Sequence, residues 1–252
     1  MRGQFHDKVA LVTGSSSGIG AGVATALGEQ GAKVIINYPD DSQFDNAEQL
    51  KNTINELAGS AITSKADVSS ETQVDAMIDS ALNEFGAIDI LVNNAGIATS
   101  APVEQLTAEQ WDRLFAIHVR GTFLATRRVL PQMYERDSGK IINTASQLAY
   151  KGAPGFAHYT AAKGAIISFT RSLALEIGQR NVNVNAVAPG ATMTPILEDV
   201  PADILEDIRL GIPKGRLADI EDIVPSYLFL ASDQAKHIQG QCLSPNGGDV
   251  FL

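Results

Sequence analysis

The feature that most constrains the fold is an alternation, along the whole chain, of short apolar runs with helical patterns. Near-continuous runs of Val, Ile, Leu and Ala are typical of strands buried on both faces of a parallel sheet. The clearest helical pattern steps by three and four residues through Val74, Met77, Ile78, Ala81, Leu82 and Phe85. Repeated strand–helix units of this kind predict right-handed crossovers and a doubly wound sheet. The predicted strands are Val9–Val12, Lys33–Asn37, Ala61–Ala66, Ile88–Val92, Lys140–Thr144, Val182–Val187 and Gln241–Ser244.

The length of the chain agrees with one domain. It has 252 residues, of which 44% are hydrophobic, and this is enough to bury a large core over residues 1–252. We expect an α/β fold with a single Rossmann-like, doubly wound parallel sheet of about seven strands and helices on both faces. Ligands of such sheets bind beyond the carboxyl ends of the strands, where the strand order reverses. Candidate functional residues are therefore those that directly follow a strand.

The charge of the chain limits its partners. A net charge of −10 disfavours nucleic acid and anionic membrane surfaces, which are bound by clustered Lys and Arg. No run reaches the roughly 18 to 20 apolar residues of a membrane span, and the first residues lack the apolar segment of a secretory signal. The single cysteine, Cys242, excludes an intrachain disulfide and fits a reducing compartment. We expect a cytoplasmic protein with a small-molecule substrate.

A glycine-rich turn follows the first strand and precedes an Ala-rich helix predicted over residues 21–30. Glycines at such a turn let the backbone approach a pyrophosphate, and the helix N-terminus offers free N–H groups and a positive dipole end. A glycine-rich match alone is weak, but its position between a strand and a helix favours a dinucleotide site. The candidate cofactor contacts in this turn are Gly14, Ser16, Ser17, Gly18, Ile19 and Gly20.

Three further strand ends agree with a dinucleotide site. A carboxylate at Asp67, followed by Val68, could accept from an adenine amino group, although Asp67 would serve equally well as a helix N-cap. Small residues after the fourth strand allow the chain to pass close to a ligand, although they also suit a plain turn. Hydroxyls and backbone groups after the sixth strand are placed to hold a nicotinamide amide. The candidates in these two segments are Asn94, Ala95, Gly96, Pro189, Gly190, Thr192 and Thr194.

The end of the second strand bears on the choice between NAD and NADP. An Asp or Glu there would bind the ribose 2′-hydroxyl and repel a 2′-phosphate. Neither Asn37 nor Tyr38 is acidic, and neither Ser17 nor Pro39 is a cation that could clamp a phosphate. The acids Asp40–Asp41 are close by, in a direction that the sequence does not fix. The pattern favours NADP slightly over NAD, with Tyr38 as a cofactor contact.

The catalytic candidates are Ser146, Tyr159 and Lys163. Tyr159 and Lys163 are four residues apart, which places the phenol and the amine on one face of a helix. A tyrosine with its ordinary pKa near 10 is a poor base, and a neighbouring ammonium is expected to lower that pKa. Ser146 follows the fifth strand, where its hydroxyl could hold a carbonyl or alcohol oxygen beside Tyr159. A Tyr–Lys pair at this spacing is common on helices, so it indicates a catalytic site only in combination with Ser146 and the glycine turn.

Together these motifs resemble the short-chain dehydrogenase/reductase family over essentially the whole chain, with glucose 1-dehydrogenase-like and 3-oxoacyl-acyl-carrier-protein reductase-like members. The resemblance implies an NAD(P)-dependent alcohol dehydrogenase or carbonyl reductase, usually a homotetramer, with Ser146 polarising the substrate oxygen. It implies that Tyr159 is the general acid or base, and that Lys163 serves both Tyr159 and the nicotinamide ribose. Hydride passes directly between nicotinamide and substrate carbon, so no metal is expected. The motifs that carry the resemblance are TGxxxGxG at Gly14, Gly18 and Gly20, NNAG at 93–96, Ser146, YxxxK at Tyr159 and Lys163, and PG at Pro189.

One position departs from the family pattern. The family has an Asn seven residues beyond a Trp, whereas here Trp111 leads to His118. The family Asn is thought to act largely through its main-chain carbonyl, which holds a water that relays protons to the lysine. His118 could keep that backbone role, add an imidazole that titrates near pH 6.5, or be a packed helical residue with no proton role.

Three functions remain open. The leading interpretation is an oxidoreductase of a small sugar, polyol or ketone, with substrate choice set by Gln147–Phe156, His158 and an amphipathic lid over about 195–216. The first alternative is a 3-oxoacyl-acyl-carrier-protein reductase, which needs a basic patch to dock its acidic carrier. The second alternative is a non-catalytic dinucleotide-binding regulator, which an intact trio disfavours. The arginines that could form a basic patch are Arg127, Arg128, Arg136, Arg171 and Arg180.

Overall fold

The predicted doubly wound sheet is confirmed. The computed structural model describes residues 3–198 and 200–251. Its sheet has seven parallel strands in the order β3-β2-β1-β4-β5-β6-β7. The strand order reverses between β1 and β4, and the carboxyl ends of these two strands form the edge at which a ligand is expected. The strands are β1 (Val9–Val12), β2 (Lys33–Tyr38), β3 (Ser60–Lys65), β4 (Ile90–Asn93), β5 (Gly139–Thr144), β6 (Val182–Val187) and β7 (Cys242–Leu243).

Helices cover both faces of this sheet. One face packs against α1, α2 and α10 and the other against α3, α5 and α7. None of the helices in the described part of the chain is both long and apolar enough to cross a membrane. The helices are α1 (Gly18–Glu29), α2 (Phe44–Glu56), α3 (Glu71–Phe85), α4 (Ala108–Phe115), α5 (Gly121–Glu135), α6 (Leu148–Lys151), α7 (Ala157–Ile177), α8 (Pro195–Glu198), α9 (Ala202–Gly211) and α10 (Ile220–Ala231).

Alternate residues of each central strand enter opposite halves of the core. In β1, Ala10 and Val12 pack with α1 and α10, whereas Val9 and Leu11 pack with α3 and α5. Because side chains alternate across a strand, a strand with helices on both faces is apolar at most of its positions. This is why the strands read as continuous apolar runs in the sequence, and why the predicted ends agree with the structure to within two residues.

Candidate active site

Three buried or half-buried polar side chains fasten the glycine turn to the sheet. The Gly14 N–H donates to Asn37 Oδ1 at 2.9 Å, and Gly14 has a left-handed φ of +59°. Asn94 Nδ2 donates to the carbonyls of Thr13 and Gly14, each at 3.0 Å. The Thr13 hydroxyl accepts the Asn94 N–H at 3.0 Å. The structural roles of Thr13 and Asn37 were not predicted, although a buried Asn at the end of an apolar strand is a sequence signal for such a contact.

The geometry of the turn fits a dinucleotide pyrophosphate. Gly18 begins α1 with φ +57°, and the N-cap residue Ser17 makes no side-chain capping hydrogen bond, so the first N–H groups of α1 lack that partner. A Cβ on Gly20 would lie 2.4 Å from Asn94 Nδ2, which means that only glycine allows this packing. A cavity of about 370 Å³ adjoins the turn. Its lining carries hydroxyls and amides but no charged group, from Ser16, Ser17, Ala21, Asn46, Gln49, Leu50 and Thr53.

The acids after β2 are committed to local partners. Asp40 Oδ1 accepts from the Ser42 N–H at 2.9 Å and from its hydroxyl at 2.5 Å. Asp41 forms an ion pair with Lys65 at 2.9 Å. Tyr38 is buried and its ring contacts Phe44, with 6.1 Å between ring centroids. The direction of these acids, which the sequence left open, is therefore set by helix-start and ion-pair contacts.

Asp67 also has two structural partners. Its Oδ1 accepts from the N–H and the hydroxyl of Ser69 at 2.9 and 2.7 Å, and its Oδ2 pairs with Arg113 at 2.9 Å. Burial opposes ionisation of this carboxyl, but the hydrogen bonds from Ser69 and the charge of Arg113 outweigh it and lower the pKa of Asp67. The neighbouring Val68 is buried beneath Gly121. Asp67 thus closes a turn ahead of α3 but is not its N-cap, which is Ser70, and contact with adenine stays a prediction.

The segment after β6 lies against the glycine turn. A Cβ on Gly18 would lie 3.6 Å from Thr194 Cβ, so the two predicted cofactor segments are adjacent. Thr192 is buried, and its hydroxyl donates to the Gly190 carbonyl at 2.9 Å. Thr192 also forms an isolated parallel bridge with Ala218, which pins together the two ends of the segment that contains α8 and α9. These contacts bring the first and last predicted cofactor motifs to one place.

The three catalytic candidates converge beyond the carboxyl end of β5. Ser146 and Lys163 are buried, and Tyr159, one turn before Lys163 in α7, has the Ser146 hydroxyl near its phenol. Lys163 Nζ donates to the Thr144 carbonyl at 2.7 Å and lies 5.6 Å from the centre of the Tyr159 ring. The Ser146 hydroxyl oxygen accepts from the Leu148 N–H at 3.2 Å, which leaves its own hydrogen free for another acceptor.

The expected lowering of the Tyr159 pKa is not found. Burial raises the pKa of the phenol, and the nearby Ser146 hydroxyl offsets only part of that rise. Burial also lowers the pKa of Lys163 to about 7, so its amine carries less than a full charge at neutral pH. Spacing on a helix predicts proximity but not desolvation, and here desolvation has the larger effect.

His118 lies where the helical pattern between α4 and α5 changes. Residues Ala116–Arg120 form a π-helical turn, a feature frequent at functional sites. The main-chain carbonyl of His118 accepts from the Thr122 hydroxyl at 2.7 Å.

The His118 ring is buried against the loop after β4. Its Nε2 lies 2.9 Å from the Ile97 nitrogen and 2.8 Å from the Ile97 oxygen, and its edge faces the Tyr159 ring at 5.5 Å. A Cβ on Gly96 would lie 2.6 Å from the imidazole, so the glycine makes room for it. Burial, with the nearby charge of Lys163, holds the pKa of His118 well below its usual range. The ring is therefore neutral near pH 7.

A buried amide and hydroxyl network lies under this site. Asn93 Nδ2 donates to the Thr126 hydroxyl at 3.0 Å and to Asn143 Oδ1 at 2.8 Å. Asn143 Nδ2 then donates to the Thr170 hydroxyl at 2.9 Å. The network joins β4 and β5 to α5 and α7, and thereby fixes the strand ends that carry the site. The sequence signal for this network was a polar residue inside each of the apolar strands β4 and β5.

The segment after Ser146 is held by the C-terminal part of the chain. Gln147 Nε2 donates to Asp249 Oδ2 at 2.7 Å, and Lys151 pairs with the same carboxylate at 2.6 Å. The Gln147 N–H donates to the Pro189 carbonyl at 3.0 Å. These bonds fix the position of the residue that follows Ser146.

The predicted lid segment forms two helices, α8 and α9. No residue of α9 is buried, and Ile204 and Leu210 expose 47% and 66% of their surface. An amphipathic helix that leaves its apolar side chains uncovered has surface to offer a ligand. Within the predicted lid, Asp199 and the side chain of Glu198 lie outside the described structure.

A dinucleotide turn at the switch point and a Ser–Tyr–Lys cluster beside it define the class of nicotinamide-dependent oxidoreductases. The comparisons with known proteins give the same class. A family profile described as enoyl-(acyl carrier protein) reductase matches residues 14–249. The chain is 37% identical to the (2S)-[(R)-hydroxy(phenyl)methyl]succinyl-CoA dehydrogenase subunit BbsD of Thauera aromatica, over 97% of each chain.

Two further relatives cover the chain equally well. The 3-oxoacyl-[acyl-carrier-protein] reductase FabG of Thermotoga maritima is 34% identical, over 98% of this chain and 100% of the relative. The crystal structure of levodione reductase superposes with a TM-score of 0.90 and 32% identity, over 97% of this chain and 98% of that one. The chain belongs to the short-chain dehydrogenase/reductase family, and it is an NAD(P)-dependent oxidoreductase that acts on alcohols or carbonyls.

Proposed function

We propose that the protein interconverts a small ketone and its alcohol, with Ser146, Tyr159 and Lys163 as the catalytic residues. The observation that carries this proposal is the convergence of Ser146, Tyr159 and Lys163 at the carboxyl edge of the sheet. When bound, the nicotinamide cofactor supplies or accepts the hydride at the substrate carbon. The residues of this chain hold the substrate oxygen and move its proton.

The protonation states of the site support reduction. Because burial raises the Tyr159 pKa, the phenol is protonated at neutral pH and can donate its proton to a substrate oxygen that gains negative charge. The Ser146 hydroxyl hydrogen stabilises the same oxygen. The carbonyl of Thr144 orients the Lys163 amine beside the tyrosine, where its charge favours the phenolate left after proton donation.

The arginines of the chain support a free substrate over one attached to an acidic carrier. Arg127 pairs with Glu71 at 2.5 Å, Arg128 pairs with Asp79, and Arg136 pairs with Asp89. The Arg180 guanidinium lies 4.3 Å from the centre of the Tyr134 ring. Carboxylates thus neutralise three of the five arginines that could have docked an acyl carrier. The remaining support for that function is the name of the FabG relatives, and it is our second candidate.

We infer a preference for NADP over NAD. Asp40 and Asp41, the acids nearest to the end of β2, are engaged with Ser42 and Lys65, and Asn37 is engaged with Gly14. No charged side chain lines the described cavity beside the turn, so a 2′-phosphate meets hydroxyl and amide donors without an opposing carboxylate. Competitive binding of NADPH and NADH, followed by the fluorescence of the reduced nicotinamide, tests this preference. Tighter binding of NADH would contradict it.

We also infer one cofactor-binding domain over residues 1–252, with a substrate lid over about 195–216, working as a cytoplasmic homotetramer. Exposed apolar side chains on two of the outer helices, Phe123 at 43% and Leu175 at 84%, support burial against further copies of the chain. Analytical ultracentrifugation of the wild type and of Leu175→Glu tests the assembly. A monomeric wild type would contradict it.

The test of the proposed function is a panel of substrates with NADPH and NADH. Sugars, polyols, simple ketones and 3-oxoacyl thioesters, the last free and attached to acyl carrier protein, are assayed by absorbance of the reduced nicotinamide. We expect turnover of a free carbonyl compound, with carrier attachment giving no gain in kcat/KM. A gain of tenfold or more from the carrier would favour the second candidate. Turnover of none of these compounds would contradict the proposed function.

A further inference from the structure

A pair of side chains beside the catalytic residues has no function in the mechanism described above. Thr99, in the loop that follows β4, is exposed, whereas His158 is completely buried and directly precedes Tyr159 in α7. The Thr99 hydroxyl oxygen lies 2.8 Å from His158 Nε2. A surface hydroxyl at the carboxyl edge of the sheet is thus oriented by a group in the interior.

The loop that carries Thr99 is held on both sides of this pair. Before it, Ile97 contacts the buried ring of His118, and after it the Ala101 N–H donates to the Gly155 carbonyl at 3.0 Å. Because Gly155 lies just ahead of α7, the loop is fastened to the segment that leads to Tyr159. A side chain on a loop with such fixed points loses little conformational entropy when it binds a ligand.

The direction of the Thr99–His158 hydrogen bond follows from the other ring nitrogen. His158 Nδ1 is buried and has no hydrogen-bond partner within residues 3–198 and 200–251. A buried N–H group without a partner is rarer in proteins than a buried acceptor without one. The proton of the imidazole therefore resides on Nε2, and Nε2–H donates to the Thr99 oxygen.

The Thr99 hydroxyl hydrogen is consequently free. A hydroxyl has one hydrogen to donate, and its oxygen accepts the bond from His158. No other hydrogen bond of this hydroxyl is found in the described part of the chain. Since the side chain is exposed at the edge where ligands bind, its hydrogen is available to an acceptor on a bound substrate.

We propose that Thr99 determines substrate specificity by donating a hydrogen bond to a second acceptor oxygen of the substrate, and that His158 is the positioning residue that orients its hydroxyl. Ser146 and Tyr159 serve the reacting oxygen, so the oxygen bound by Thr99 is a different one. The substrate class is then carbonyl compounds with a further carbonyl or ester oxygen, such as 3-oxo esters and diketones, in preference to simple ketones. This inference rests on the proposed carbonyl reduction.

The test compares ethyl 3-oxobutanoate with heptan-2-one, which has the same number of chain atoms but lacks both ester oxygens. The full-length wild type is compared with Thr99→Val, which removes the hydroxyl at nearly constant shape, and with Thr99→Ser, which keeps it. We expect Thr99→Val to lower kcat/KM for the 3-oxo ester by up to about tenfold, mainly through KM, as for the loss of one hydrogen bond. Heptan-2-one should change by less than about twofold, and Thr99→Ser should retain the wild-type selectivity.

His158 is tested by a variant and by its tautomer. His158→Phe keeps a ring of similar size and should reduce the selectivity for the 3-oxo ester without a matching loss on heptan-2-one. Nitrogen-15 NMR of the wild type should show the proton of His158 on Nε2. A proton on Nδ1, or equal losses on both ketones in Thr99→Val, would overturn the inference and leave the proposed carbonyl reduction intact.

Failure of the proposed function gives a different result. If the wild type reduces neither ketone with either cofactor, carbonyl reduction itself is contradicted for these substrates. The inference is then decided by calorimetric binding of ethyl 3-oxobutanoate to the wild type and Thr99→Val with oxidised cofactor present. Weaker binding to Thr99→Val supports it, and equal or undetectable binding to both overturns it.

Discussion

The two sides of the cleft differ in how they satisfy their polar groups. On the cofactor side, the amides of Asn37 and Asn94 are bonded to the glycine turn and its neighbouring strands. On the catalytic side, five buried polar atoms have no partner within the described residues. They are Asn93 Oδ1, His118 Nδ1, Gln147 Oε1, His158 Nδ1 and Thr160 Oγ1.

This difference in hydrogen bonding distinguishes the side that binds the cofactor from the side that carries the proposed catalytic residues. A turn whose side-chain bonds are already formed is preorganised and needs little change to receive a cofactor. A cluster with unpartnered polar atoms and a buried amine costs stability, and such costs concentrate at catalytic sites. Lys163, whose amine donates to the Thr144 carbonyl and has a pKa near 7, is the clearest case. Changes on the catalytic side should therefore act mainly on kcat and relieve part of that cost in stability, whereas changes on the cofactor side should raise the cofactor KM and lower stability.

The largest effect is expected at Tyr159. Tyr159→Phe removes the proton donor but keeps the ring, so kcat should fall by about 10³-fold or more while cofactor binding stays within about twofold. Steady-state kinetics and cofactor fluorescence measure the two quantities. Tyr134→Phe, at the far end of α5, is the matched control and should behave as the wild type. Retained turnover in Tyr159→Phe would contradict the catalytic assignment.

Lys163→Met should lower activity strongly and yet stabilise the cofactor-free protein. Because burial lowers the Lys163 pKa from 10.5 to about 7, the unfolded chain binds more protons than the folded one between these pH values. The destabilisation caused by Lys163 is thus greatest at pH 7 and below, and it disappears as the pH rises to about 10.5. Scanning calorimetry should show a gain in Tm on the order of 5 °C at pH 7 that shrinks at pH 9.5. An equal gain in Tm at both pH values would contradict the lowered pKa of the Lys163 amine.

Asn37→Leu tests the cofactor side. The variant leaves the Gly14 N–H and the Ala66 carbonyl without their side-chain partner, so the free energy of unfolding should fall by about 1–3 kcal/mol. The cofactor KM should rise about tenfold, with kcat nearly unchanged, because the turn loses its anchor. Urea unfolding and kinetics measure both, with the exposed Asn181→Leu as control. A fall in kcat at constant KM would remove the distinction between the two sides.

The smallest effect is expected for His118→Asn. The Ile97 nitrogen and oxygen both lie within 3 Å of one ring nitrogen, which can serve only one of them at a time, whereas a carboxamide could serve both. Activity should stay within about threefold and the pH–rate profile should not shift, since the ring is neutral and Nε2 is engaged. Stability at pH 5–6 should improve relative to the wild type, because a histidine with a lowered pKa destabilises the fold as the pH falls below 6.5. A shifted profile would show that the imidazole relays protons.

Some contacts could not have been predicted because they join residues far apart in the chain. Arg136 is flanked by Glu135 and Asp137 in the sequence, yet its ion-pair partner is Asp89, before β4. By its sequence Asp67 suits adenine and a helix cap equally well, and its ion pair with the distant Arg113 follows only from the fold. Such choices depend on which side chains the sheet and helices bring together.

The sequence by itself determined the sheet, the order of its motifs and the three residues proposed as catalytic. Strands buried on both faces are mostly apolar, and a phosphate turn is rich in glycine, so both leave local patterns. Only the tertiary structure decided the electrostatic state of the site. Proximity of Tyr159 and Lys163 follows from their spacing, but the raised pKa of the one and the lowered pKa of the other depend on burial by the surrounding elements. Burial depends on the whole fold, because every layer packed around a charge changes its solvation.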